Sequence, residues 1–82
     1  SKQLEITRYT IQIASVPTID EAKEYQEKLK NNGFDAYTES FTLNNMQFWR
    51  IRVGNFTDYK KAKDIEKLLI DMNYDTWFTN IK

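Results

Sequence analysis

The sequence predicts an α+β domain with the element order β-α-β-β-α-β, chiefly because much the same stretch of chain is written twice. When residue 11 is laid on residue 51, a displacement of 40 positions, Ile11-Gln12-Ile13-Ala14 meets Ile51-Arg52-Val53-Gly54. Without a gap, Ala22-Lys23 then falls on Ala62-Lys63, Leu29 on Leu69, Phe34 on Tyr74, Asp35 on Asp75 and Tyr37 on Trp77. Each copy also opens with period-two alternation and continues with helical spacing, which is the signature of a strand followed by an amphipathic helix. Two copies are too few for a solenoid, which needs about three repeats to bury a continuous core. They must therefore close on each other, giving one unit over residues 1–82 with pseudo-repeats at 9–39 and 49–79.

The elements follow in order. Arg8 to Ala14 alternates polar and apolar residues with β-branched Ile11 and Ile13, a half-buried strand that Pro17 ends. Thr18 with Glu21 three residues later has the form of a capping box, and Ile19, Ala22, Tyr25, Gln26 and Leu29 recur at helical spacing. Asn31-Asn32-Gly33 stops that helix, with Gly33 as the left-handed residue beyond its end. A second strand runs from about Phe34 to Leu43, and Asn44-Asn45 makes a tight turn into a third from about Met46 to Val53. In the second copy Asp58 caps a helix with the stripe Tyr59, Ala62, Ile65, Leu69 and Met72, and Asn73 takes the place of Gly33. Tyr74 to Thr79 is the fourth strand. Tyr25, Tyr59 and Met72 are assigned to packing, and the run Lys60 to Asp64 to a solvated helix face.

With right-handed crossovers this order gives a four-stranded antiparallel sheet, spatial order 4-1-3-2, with both helices on one face: the ferredoxin-like, RNP-like arrangement. The other face is open. Strand parity turns Ile11, Ile13, Ile51, Val53, Phe34 and Ala36 toward the helices, and Arg8, Thr10, Gln12, Phe48, Arg50, Arg52, Tyr37 and Trp77 outward. All three arginines of the chain fall on the open face, whereas the lysines lie on helices, in turns or at the ends. Arginine suits planar, forked recognition of carboxylate or phosphate, and lysine serves as a generic solvated charge.

Composition narrows the function classes. There is no cysteine and no histidine, which excludes a disulfide framework and thiolate or imidazole ligands to a metal. No cofactor motif is present, and the acidic residues lack the spacing of a metal cage or an acid/base pair, so the expectation is a non-enzyme without cofactor. Formal net charge is zero, against a partner held by phosphate neutralisation, so nucleic acid is not expected. No apolar run approaches the ~20 residues needed to span a bilayer, and membrane contact by this segment is not expected. A monomer satisfies everything seen.

Tyr9-Thr-Ile-Gln-Ile-Ala-Ser15, a helix, a Gly33-Phe34 turn, and Phe48-Trp-Arg-Ile-Arg-Val-Gly54-Asn-Phe56 before a second helix resemble the SPOR domain, a bacterial peptidoglycan-binding repeat. The resemblance runs from Tyr9 to about Thr79. Ala14 replaces the usual glycine, Val16-Pro17 replaces the aromatic after the serine, and Asn55 stands where proline is common. The resemblance implies an extracytoplasmic domain that binds glycan strands stripped of their stem peptides, the material cell-wall amidases leave at division septa or in spore walls. By position it assigns binding roles to Gln12, Ser15, Phe48, Arg50 and Trp77. Face parity alone adds Arg52 and Tyr37.

Two alternatives of other classes stay open at this point. An RRM-type single-stranded RNA module has the same architecture, although Phe48 to Phe56 does not match the RNP1 pattern. A protein-interaction domain could use the open face or an edge strand.

Overall fold

A computed structural model describes residues 6–81. The elements are β1 (Arg8–Val16), α1 (Ile19–Asn31), β2 (Ala36–Leu43), β3 (Met46–Phe56), α2 (Tyr59–Asp71) and β4 (Trp77–Ile81). All strand pairs are antiparallel and the sheet order is β2-β3-β1-β4, the predicted 4-1-3-2 read from the other edge. Both helices cover one face. α1 buries Ala22 and Leu29 and α2 buries Ala62 and Leu69, so the same two repeat positions seat each helix. They meet Ile11, Ile51 and Val53, each at most 1 % exposed, in the centre of the core. Burying an aliphatic side chain of this size contributes about 1.5–3 kcal/mol. Phe34, Trp49, Phe56, Ile65 and Phe78 pack around that centre.

The two helices are also started and stopped alike. The Thr18 hydroxyl accepts the Glu21 amide at 3.2 Å and donates to the Glu21 carboxylate at 2.8 Å, while Asp58 accepts the Lys61 amide at 3.1 Å. Past α1 the Gly33 amide bonds Lys30 O and the Phe34 amide bonds Leu29 O, and past α2 the Asn73 and Tyr74 amides bond Ile70 O and Leu69 O. Each pair is a Schellman motif, which requires a left-handed residue: Gly33 has φ 87° and Asn73 φ 69°. Asparagine tolerates that region at some cost. Asn73→Gly is accordingly expected to raise the melting temperature by a few degrees, and Gly33→Asn to lower it by a similar amount, in thermal unfolding followed by circular dichroism.

Two register shifts between β1 and β3 shape the open face. In the first, Gln12 pairs with Arg52 but Ala14 with Ile51, so Ile13 is an extra residue. In the second, Ile11 pairs with Val53 but Tyr9 with Phe56, so β3 carries an extra residue around Gly54-Asn55. Gly54 has φ +80°, and its amide bonds Asp35 O at 2.8 Å. These shifts lengthen β1 through Val16 and β3 through Phe56, beyond the Ala14 and Val53 ends expected from parity. The hairpin between β2 and β3 turns on Asn44 (φ 52°) and Asn45 (φ 64°), the paired left-handed residues of a type I′ turn, as expected.

Some expected positions move. Thr10 is fully buried rather than presented: its hydroxyl donates to Val53 O at 3.1 Å and accepts from the Tyr37 hydroxyl at 2.9 Å. Tyr25, Tyr59 and Met72, assigned to packing, are 37 %, 55 % and 41 % exposed, although Tyr59 sets its ring edge-on to Tyr9 and Phe78. β2 and β4 begin later than expected, at Ala36 and Trp77. On α2 the lysine run is not wholly solvated. Lys63 Nζ lies 2.7 Å from Glu66 Oε1 and 4.6 Å from the centre of the Phe78 ring, and Thr76 donates to the other Glu66 oxygen at 2.9 Å. The Glu66 bond holds the Lys63 ammonium above the ordinary lysine value of 10.5. A raised lysine contributes its stability fully below the unfolded value and loses it as pH rises through the folded one. The lysine's share of the pair is therefore present at neutral pH and is lost as pH rises into strong alkali.

Candidate functional site

The open face is organised by the pseudo-twofold axis that relates the two copies. Gln12 and Arg52 are equivalent by the repeat and are paired across the two central strands, so they lie on that axis. Gln12 also pairs with Trp77 on β4, and Arg52 with Tyr37 on β2. Four of the expected side chains therefore form one row across the whole sheet: Tyr37, Arg52, Gln12, Trp77. Arg52 Nε donates to Gln12 Oε1 at 3.2 Å, which fixes both polar groups at the centre. The ends of the row differ. Tyr37 is half-buried and tied to Thr10, two strands away, while Trp77 is 70 % exposed on the edge strand.

A second row lies one step toward the hairpin, where Glu39 and Ser15 both pair with Arg50. Ser15 is three residues from Gln12, a spacing that alternation alone would send to the opposite face. The extra residue Ile13 restores it to the open face. Ser15 is thus on the strand rather than in the loop after it. Gln12, Ser15 and Trp77 line a shallow cleft of about 170 Å³ together with Asp75 and Thr76.

The third row is aromatic. Phe41 pairs with Phe48, their rings stack with centroids 5.5 Å apart, and the Arg50 guanidinium lies 4.0 Å over the Phe41 ring. Such stacking holds a guanidinium flat and leaves its outer edge free to meet a planar anion. Beyond it Leu43 and Met46, 56 % and 58 % exposed, close the hairpin tip. Arg8 stands at the far end of β1, where its Nη1 reaches Asn55 Oδ1 at 3.4 Å.

The structure thus brings Gln12, Ser15, Phe48, Arg50, Arg52, Tyr37 and Trp77 together on one face. Sequence reasoning missed Glu39 and Phe41. Both were within reach, because the two-residue turn fixes Leu43 against Met46 and hence Phe41 against Phe48 and Glu39 against Arg50.

A family model described as the SPOR domain matches residues 6–80. The chain belongs to the SPOR family. A comparison with curated proteins finds no match. Among solved structures the domain is similar to the solution structure of the peptidoglycan binding domain of the B. subtilis cell wall lytic enzyme CwlC, with TM-score 0.77 and 15 % identity. The match covers 100 % of this chain and 99 % of that one. At that identity the likeness shows the fold alone, and it is the fold read from the repeat.

Electrostatics separate the two faces of this SPOR domain. The open face carries the arginines Arg50 and Arg52 beside Glu39, whose oxygens lie 4.0 Å from Arg50 Nη1 and 3.5 Å from Arg52 Nη1, and Asp75 lines its cleft at the Trp77 end. A larger cleft of about 550 Å³ opens on the helical side, lined by Glu21, Glu24, Tyr25 and Lys28 of α1 with Met72 and Tyr74, two carboxylates to one ammonium. An anionic ligand is favoured by the first and opposed by the carboxylates of the second. Among the described residues no group of three or more acidic, histidine or cysteine side chains could hold a metal ion. No helix among them is long and apolar enough to cross a membrane.

Proposed function

We propose that this SPOR domain binds peptidoglycan through the open face of its sheet, and that its preferred material is glycan from which the stem peptides have been removed. The role is non-catalytic: the domain targets a larger protein to extracytoplasmic wall at the division septum or in the spore wall. The observation that carries the reading is the series Trp77, Gln12 and Ser15, Arg50 on Phe41, laid side by side on one exposed face. An amidase that removes a stem peptide frees the lactyl carboxylate of the muramic acid, so the stripped strand presents sugars with regularly spaced anions. Arg50 and Arg52 pair with those carboxylates, the Trp77 and Phe48 rings lie against sugar C–H faces, and Gln12 and Ser15 bond hydroxyl or N-acetyl groups.

The test is retention of the domain on purified sacculi with and without amidase pretreatment, beside a single-stranded RNA. Pretreated sacculi are expected to retain more, because the treatment uncovers carboxylates and removes steric cover. Equal retention on both materials would remove the preference for stripped strands. Retention should weaken only moderately between dilute and physiological salt, since few charges and several neutral contacts share the energy. A steep loss, with binding to the RNA, would support the RNA-module reading instead.

A further inference from the structure

Glu39 stands on the edge strand β2 beside Arg50 and Arg52 of β3, and its two oxygens address both arginines. Oε2 is 3.5 Å from Arg52 Nη1 and Oε1 is 4.0 Å from Arg50 Nη1. A carboxylate set between two guanidinium groups has the arrangement that a bound anionic ligand would adopt. Such a residue is either a brace that orients the arginines or an occupant that a ligand must displace, and the geometry separates the two. Both distances exceed the ~2.7–2.9 Å of a charge-assisted hydrogen bond. Neither arginine depends on Glu39 for its position, because Arg52 Nε is bonded to Gln12 at 3.2 Å and Arg50 is stacked 4.0 Å over Phe41. The Glu39 side chain is 52 % exposed and makes no side-chain hydrogen bond among the described residues. A carboxylate held at the surface by attraction alone is displaced at little cost.

We propose that Glu39 is a resident counter-ion: in the free domain it occupies the carboxylate position between Arg50 and Arg52, and it swings aside when a ligand carboxylate enters. The identity of that ligand rests on the glycan reading above, but the counter-ion role itself does not. Neutral sugars cannot take its place, so Glu39 makes the arginines available only to a ligand that brings its own anion. Affinity is set below what the arginines alone would give.

The probe is acetate, titrated at constant ionic strength against the Nε–H resonances of Arg50 and Arg52 in the parent domain and in Glu39→Gln. The midpoint in Glu39→Gln is expected about three- to ten-fold lower, the scale of relieving two partly solvated ion pairs. An equal or higher midpoint, or resonances that move in neither protein, overturns the proposal. Unchanged melting temperature shows that the substitution leaves the fold alone, as its exposure implies. Both proteins are also applied to amidase-treated sacculi. If the acetate midpoint falls yet neither protein is retained, the counter-ion stands and the glycan reading fails. If both are retained with equal acetate midpoints, the glycan reading stands and Glu39 is a bystander.

Discussion

Arg50→Lys is expected to weaken retention on amidase-treated sacculi by at least about tenfold while leaving the melting temperature nearly unchanged. The residue sits on a central strand, pairs with Ser15 and Glu39 on its two sides, and has its guanidinium 4.0 Å over the Phe41 ring. Lysine keeps the charge and loses both the fork and the planar stack. A central interface arginine typically carries about 2 kcal/mol or more of binding energy, and tenfold corresponds to about 1.4 kcal/mol. Stability is spared because the side chain faces away from the core and its ion pair with Glu39 is long and partly solvated. Phe48→Ala should weaken binding to a similar degree. It should also cost about 1 kcal/mol of stability, since the ring is half-buried against Phe41. Lys60→Ala on α2, whose ammonium pairs with Asp64 at the surface, should change neither. Equilibrium binding to the sacculi together with a melting curve for each variant checks all three.

The largest expected effect on folding is at Gly54. Its φ of +80° already disfavours any side chain, and a Cβ built there would fall within the Phe56 ring. The backbone penalty is about 1–2 kcal/mol and displacing a packed aromatic costs about 1–3 kcal/mol more. Gly54→Ala should therefore lose roughly 2–5 kcal/mol, a large share of the ~4–12 kcal/mol typical of a domain this long. Its melting temperature should fall by more than about ten degrees. Gly33→Ala is the internal comparison, because Gly33 has a similar φ of +87° and nothing within 4 Å of the added atom. It should lose only the backbone share. Equal losses at the two positions would show that Phe56 moves freely, and that the bulge at Gly54 is not held by packing.

Much of this was written in the chain in a form that physics can read. The displacement of 40 positions makes Gln12 and Arg52 equivalent, and an antiparallel pair of equivalent strands has to meet on its own symmetry axis. The Asn44-Asn45 turn fixed the register of β2 on β3, and with it the β2 partners of Arg50 and Arg52. What was hidden depends on contacts distant in sequence. Nothing in Gln12-Ile13-Ala14-Ser15 marks Ile13 as an inserted residue, so the face of Ser15 followed from the family pattern and not from alternation. Thr10 reads as an outward strand position by parity. It is buried because the Tyr37 hydroxyl reaches it from two strands away, a long-range contact that periodicity cannot encode. Lys63 looked like part of a solvated run because its partners Glu66 and Phe78 come from further along α2 and from the last strand.

The location of the ligand is the central claim, and backbone amide chemical shifts of the domain titrated with peptide-free glycan fragments test it most directly. Shifts are expected to concentrate at Gln12, Ser15, Phe48, Arg50 and Trp77, with α1 and α2 unmoved. Shifts centred instead on Glu24, Tyr25 and Met72, in the larger cleft on the helical side, would contradict the account.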